Sequence, residues 1–339
     1  MIRVYDTNYE FLNFCDTYKN IFTTETLNTG LKTLCFQVPC LEHYINLLQE
    51  EFYIETEDYD YVIKEVNYDG NDFFTVYASA NIEEITGSAF MVFDAFEKSV
   101  ESAYQYCLQN TSWSLDYHSS EKSLTTYQTK NTDALTMIRQ IAEDYRQELW
   151  FDTKNKILHI YDKMGKPLGA YYSNELKLKN LKKQSSTYDY ATVLFPIGKD
   201  GLTIEHINNG LSFIENFSYS NKYIEKIWVN EDYDVAEHLK AAAEIYLDSI
   251  AQPKASYKLK LSDLGASVAI GDEIILVDKL KRIKQKQRVV KIVRHPDTPE
   301  QDVIEISNLQ EDFARTFINE QKRIYKEIAY VKSLIANLS

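Results

Sequence analysis

Between residues 255 and 308 the chain alternates short apolar stretches with polar breaks, and that rhythm limits the fold more than any other feature. ASYKLKLSDL opens the segment at 255, followed by DEIILVD (272–278), QRVVKIVR (287–294) and DVIEIS (302–307). Strands this short and evenly spaced predict a small barrel or sandwich. Residues 1–92 have a similar texture. A short strand is expected at Thr33–Val38. Two more, Tyr61–Tyr68 and Asp72–Ser79, flank Asp69 and Gly70. That dipeptide marks a hairpin, because both turn positions take positive φ.

The middle of the chain reads differently. In DAFEKSVESAYQYCLQN, from Asp94, residues Phe96, Val100, Ala103, Tyr104 and Cys107 recur at helical spacing, with Asp94 and Glu97 placed as a capping box. A strand over Trp113–Tyr117 follows. A second helix then carries Leu135, Ile138, Ala142, Tyr145 and Leu149 on one face, and two strands, Glu148–Asp152 and Lys156–Tyr161, turn at Thr153-Lys154-Asn155. This is the pattern of a small α+β domain. A further helix begins at Asp234, with Glu237 as capping partner and Leu239, Ala243, Tyr246, Leu247 and Ile250 on one face. The predicted class is therefore α+β and multidomain. The expected parts are a β-rich 1–92, a small α+β domain at 93–172, a second β-domain at 173–308 containing helix 234–250, and a C-terminal helix at 309–339.

That last helix carries a seam. Phe317, Gln321, Ile324, Ile328, Val331, Ile335 and Leu338 alternate four and three apart, with no Gly or Pro after Leu309. This is an a/d heptad pattern with one polar member, and isoleucine at successive seam positions favours three or more strands. Phe317, Ile324, Ile328, Val331, Ile335 and Leu338 are accordingly the expected oligomer interface. With the seam still running at Ser339, a longer protein is expected to continue beyond it.

Composition excludes several classes. A net charge of −14 disfavours nucleic-acid backbone or an anionic membrane surface as the main partner. No apolar run reaches the roughly 18 residues that cross a bilayer, and MIRVYDTNYEF is not a basic-then-apolar leader. The four cysteines lack CxxC spacing and read as reduced, mostly buried thiols. The chain has 26 Tyr but only 10 Gly. Tyrosine suits strands and wet interfaces, and a compositional bias of the genome would give the same excess.

No motif carries chemistry. In VLFPIGKDGLTIEHINNG (193–210), Gly198 and Gly201 are too close for a GxxxxGK phosphate loop. Turns at Lys199-Asp200-Gly201 and Asn208-Asn209-Gly210, with strands at Thr192–Ile197 and Leu202–Ile207, account for the stretch. The six histidines (His43, His118, His159, His206, His238, His295) are scattered without HExxH or HxH, so no metal is expected, and His159 reads as a packed or half-exposed strand residue. Cys107 and His118 could be imagined as nucleophile and base, but Cys107 lies on an apolar helix face. GxSxG is absent. The carboxylates of Glu55-Thr-Glu-Asp-Tyr-Asp60 read as a solvated loop. Asn67, Asp69, Asn71 and Asp72, loosely like a calcium loop, are explained by the hairpin. Lys279, Lys281, Arg282, Lys284, Lys286, Arg288, Lys291 and Arg294 read as a solvated basic hairpin, or as a subunit contact with the acidic 50–72 region.

Three stretches point to a family. TYDYATVLFPIGKDGLTIEHINNGLSFIENFSYS (187–220), the 255–278 and 287–308 blocks, and SVESAYQYCLQNTSWSLDY (99–117) resemble, in matching order, the N-terminal structural region of the prophage tail endopeptidase family. Two positions depart from its pattern: Asp189-Tyr190-Ala191 replaces the usual Asn-Arg, and Leu211 replaces the second of paired glycines. The resemblance implies a phage tail hub: a homotrimer in which two barrel-like β-domains per subunit build a ring around a channel, with a small α/β domain outside. Implied partners are other copies of the chain, the distal tail protein, and tape-measure and tip or receptor-binding proteins, with DNA only as cargo. The implied location is the virion tail tip after synthesis in the bacterial cytoplasm, without stable membrane association. None of the matched blocks carries the family's catalytic residues, so no enzyme activity and no cofactor is expected within 339 residues; a hydrolase would lie beyond them. The alternatives are a cell-wall-degrading peptidase or glycosidase and a carbohydrate-binding tip module.

Overall fold

Alternation of buried and open side chains builds the strands. In FFTVYASA (73–80), Phe74, Val76, Ala78 and Ala80 are buried while the intervening residues face outward, the period of a half-buried strand. The computed structural model describes residues 2–68, 70, 72–172, 182–187, 189–231, 233–260, 267–278 and 283–307. It divides into two compact units.

The first unit combines the chain up to Tyr172 with 267–305. In chain order it contains β1 (Ile2–Tyr5), β2 (Phe11–Cys15), β3 (Lys19–Thr26), β4 (Leu31–Pro39), α1 (Glu42–Leu47), β5 (Tyr53–Glu55), β6 (Asp60–Tyr68), β7 (Phe73–Ala80), α2 (Glu83–Thr86), β8 (Ala89–Ser99) and α3 (Val100–Leu108). It continues with β9 (Ser114–Tyr117), β10 (Leu124–Asp133), α4 (Ala134–Asp144), β11 (Glu148–Asp152), β12 (Ile157–Tyr161) and β13 (Pro167–Tyr172). The second unit supplies β14 (Lys182–Ser186), β15 (Val193–Ile197), β16 (Ile214–Glu215), β17 (Glu225–Val229), α5 (Ala236–Ile250) and β18 (Lys254–Lys260). β19 (Glu273–Asp278), β20 (Ile283–Arg294) and β21 (Val303–Ser307) close the described chain. The protein is mostly β with a few helices.

In the first unit the main sheet runs β20-β3-β4-β7-β6-β5-β1-β2, with β19 also on β20 and β13 parallel to β19. The expected hairpin is present, β6 and β7 pairing antiparallel across a turn in which Gly70 has φ of 78°. Beside this sheet lie a two-stranded ribbon, β8–β10, and a three-stranded sheet, β11-β12-β9. One core joins them: Phe36, Phe74 and Tyr61 from the main sheet, Phe93 from the ribbon, Tyr104 and Ile138 from α3 and α4, and Phe151 from β11. The buried tyrosines keep their hydroxyls paired, Tyr59 donating to the Phe151 carbonyl at 2.9 Å and Tyr104 to Gln147 at 2.8 Å. Part of the tyrosine excess is thus core rather than contact surface.

Three helix boundaries differ from the sequence reading. Asp94–Ser99 belongs to β8, where Phe93 and Ala95 point inward and Phe96 is exposed. α3 is capped instead by Ser99, which accepts from the Ser102 amide at 3.2 Å. Pairing with β10, absent from the sequence reading, holds β8 extended; a bulge near Glu97 (φ 47°) absorbs one extra residue. Likewise α4 ends at Asp144, Tyr145 being its C-cap and Leu149 a β11 residue. In the second unit, α5 packs Leu239, Ala243, Tyr246, Leu247 and Ile250 against Ala191, Leu194, Ile204 and Ile214. It begins at Ala236 with no side-chain cap, so the expected box at Asp234 and Glu237 does not form.

Candidate functional site

Among the described residues, large apolar side chains stand exposed on several strands. At the edge of the main sheet, Tyr9, Phe11, Leu12 and Phe14 are exposed on β2 and the turn before it. Their rings chain together, Tyr9 stacking on Tyr53 at 4.1 Å and Phe11 meeting Tyr5 at 5.6 Å and Phe14 at 5.1 Å. On the ribbon, Phe90, Phe93 and Ala95 point inward, while Met91 (78% exposed), Leu124 (70%), Val92 and Phe96 face outward. In the second unit, β17 presents Ile227 and Val229. Large apolar side chains exposed on ordered strands are common at surfaces that associate.

Among the described residues, members of both charged clusters expected from the sequence pair within the chain. Arg288 is not solvated: its guanidinium forks onto the Glu148 carboxylate, with Nη2 to Oε2 at 2.9 Å, and both side chains are largely buried. It also donates to the carbonyls of Met164 (3.0 Å) and Gly271 (3.2 Å). Here two backbones cross so closely that a Cβ on Gly165 would lie 2.2 Å from the Gly271 carbonyl carbon. Lys286 pairs with Glu273 at 2.6 Å, and Arg294 donates to Val268 O at 2.8 Å. Lys279, Lys281 and Arg282 lie outside the described residues, as does the side chain of Lys284.

The acidic stretch is engaged too. Lys154 grips Glu55 and Asp60, and Lys32 holds Asp58 at 3.1 Å. The Lys154 and Tyr5 hydrogen bonds keep the Glu55 carboxyl below its ordinary range, whereas burial pushes that of Asp60 up. A charge-driven subunit contact made through these described residues would have to break these pairs.

The glycine-rich stretch is structural. Asp200 (φ 55°) and Gly201 (φ 80°) form the first turn, and Asn209 with Gly210 the second. Gly198 is required because a Cβ there would meet the Tyr233 carbonyl at 2.5 Å. A single turn of 3-10 helix, Glu205–Ile207, replaces the strand expected at 202–207. Cys107 is buried with its thiol donating to Ala103 O, and burial pushes that thiol up to about 12, far from nucleophilic. Of the loosely calcium-like group, Asp69 and Asn71 lie outside the described residues. So do Phe317, Ile324, Ile328, Val331, Ile335 and Leu338, the expected oligomer seam.

The structure gathers one group that the sequence reading left scattered. Asp116, His118 and His159 present their donor atoms within 4.8 Å of one another. Asp116 and His118, two apart at the end of an extended strand, share a face, a signal present in the sequence. His159 joins them only because β12 pairs parallel with β9 in a register that sets it opposite Asp116.

The fold has close counterparts. It is similar to the crystal structure of prophage tail protein gp18 from Listeria monocytogenes EGD-e (TM-score 0.67, 16% identity, covering 95% of this chain and 98% of that one). It is also similar to a tail protein from Neisseria meningitidis MC58 (TM-score 0.64, 8% identity, 91% and 96%). A third counterpart is the 43 kDa tail protein of prophage MuSo2 from Shewanella oneidensis (TM-score 0.64, 11% identity, 90% and 97%). No curated protein sequence matches the chain. Residues 167–317 match the sequence model of the family described as prophage endopeptidase tail. That region is thus similar in sequence to the prophage endopeptidase tail family, and the fold of the chain is that of prophage tail proteins.

Proposed function

We propose that this chain is a structural subunit of a phage or prophage tail tip, assembling as a ring-shaped homotrimer that joins the end of the tail tube to the tip. In this reading the β-rich 1–92 and 173–308 act as barrel-like modules lining the channel, 93–172 sits as a small α+β domain, and the 309–339 seam helps hold three copies together. One observation carries the reading: the likeness to phage tail proteins runs over nearly the whole length of both partners rather than one module. The exposed apolar strands support it, since a ring needs large self-complementary surfaces. The ring would dock on the distal tail protein, contact tape-measure and tip proteins, and pass DNA as cargo. Among the described residues no helix is long and apolar enough to cross a membrane.

Light scattering on the purified chain tests this. The expected mass is about three times 39.5 kDa, with a threefold ring in negative stain. A mass of one subunit at micromolar concentration overturns it. The hydrolase alternative has its own discriminator. Glu215, Glu244 and Asp248 line a depression between β16 and α5, and clearing of cell walls in a zymogram that Glu215→Gln abolishes would establish an enzyme instead.

A further inference from the structure

The Asp116, His118 and His159 group has the chemistry of a metal site. Asp116 Oδ2 lies 2.8 Å from His118 Nε2 and 2.9 Å from His159 Nδ1. Around an ion with bonds of about 2.1 Å, neighbouring donors sit about 3 Å apart in an octahedron and about 3.4 Å apart in a tetrahedron. The two carboxylate–imidazole separations therefore already match one edge each of a coordination shell, and the three donor atoms all lie within 4.8 Å of one another.

The scaffold holds this geometry without help from a ligand. The parallel register of β9 and β12 fixes Asp116 level with His159, and the His118 amide donates to the Ile160 carbonyl at 2.8 Å. The Tyr161 ring stacks on that of His118 at 4.7 Å and 11°, and the two imidazole planes lie 7° apart. Leu158 and Ile160 point into the core, which turns His159 to the outer face of the sheet. There the site is partly open: the His159 side chain is 18% exposed, while His118 and Asp116 are both more than 40% exposed. Strands held in register and open coordination positions are elements of a preorganised site.

We propose that Asp116, His118 and His159 bind one divalent transition-metal ion of the zinc class, leaving coordination positions for water or for a donor from another molecule. Two imidazoles and one carboxylate suit Zn²⁺, Ni²⁺ or Co²⁺ better than Mg²⁺ or Ca²⁺, which prefer oxygen-only shells. The ion clamps the end of β9 to β12. This inference stands apart from the trimer reading, because all three ligands come from one chain.

The test is calorimetric titration of the chelator-treated full chain with Zn²⁺, together with Co²⁺ absorption in the visible. The expected result is one saturable equivalent, weakened at least about tenfold by His118→Ala and by Asp116→Asn. Cys40→Ser and His43→Ala, which remove an exposed thiol and an exposed imidazole elsewhere, are expected to leave it unchanged. His118 is open enough that its truncation removes no core, and far-UV circular dichroism of the metal-free variant checks the fold. Binding of equal strength in the Asp116→Asn/His118→Ala double variant, or no saturable binding in the unaltered chain, overturns the proposal.

Discussion

Arg288 and Glu148 illustrate how single residues tie distant parts of this chain together. They are 140 positions apart, and the carboxylate also accepts from the Met164 amide at 2.6 Å. A pair with so little water around it gains from Coulomb attraction, but both partners have lost hydration, so the net benefit depends on both being present. Arg288→Met leaves a buried carboxylate uncompensated and is expected to cost about 3 kcal/mol or more in urea unfolding. The Arg288→Met/Glu148→Leu double variant is expected to cost less than Arg288→Met alone, the mark of a coupled pair. Equal, additive losses would assign the effect to packing instead. This pair was not legible in the sequence, where Arg288 is one of eight basic residues on a strand-like stretch and its partner lies in another element.

At the scale of elements, legibility follows range. β6, β7, β11 and β12 and the buried face of α5 could be read directly, since their periods of two and 3.6 are local. Asp94–Ser99 misled because Phe93, Ala95, Phe96 and Val100 satisfy a strand period in one subset and a helix period in another. Only pairing with Leu124–Asp133 decides between them. The Asp116 site was half legible for the same reason.

Charge also joins elements here. Glu84 on α2 accepts from the Ser112 amide and hydroxyl, both at 2.7 Å, and from Lys156 at 2.5 Å, linking α2 to the segment entering β9 and the turn entering β12. Partial burial pushes its carboxyl up, but these hydrogen bonds and the lysine charge outweigh it and bring it down to about 2, against 4.5 ordinarily. A carboxylate depressed on folding contributes stability above about pH 4.5, and that contribution disappears as pH falls toward 2. Unfolding midpoints measured from pH 6 to pH 2 are therefore expected to fall less steeply in Glu84→Gln than in the unaltered chain, and parallel curves would refute the linkage.

For the whole molecule, the central matter is why an acidic chain leaves Met91, Val92, Phe96 and Leu124 exposed on a two-stranded ribbon. An isolated ribbon is marginal in water. This one survives because Phe90, Phe93 and Ala95 join it to the core that also holds α3 and α4. The buried side chains thus explain folding, and the exposed ones are left for association. If a second copy of the chain covers it, Met91→Lys together with Leu124→Glu removes two large apolar side chains from each contact. At about 1.5 kcal/mol or more per side chain, that is about 3 kcal/mol, or more than a hundredfold in association. The folded subunit should be unaffected, since neither side chain touches its core. The expected outcome is an unchanged circular dichroism spectrum and melting temperature for the dissociated chain, with the light-scattering mass falling toward 39.5 kDa on dilution. An oligomer that withstands both substitutions would move the contact to the aromatic edge at Tyr9–Phe14 or to the Phe317–Leu338 seam, where the same measurement on Phe11→Lys and on Ile328→Lys separates the two.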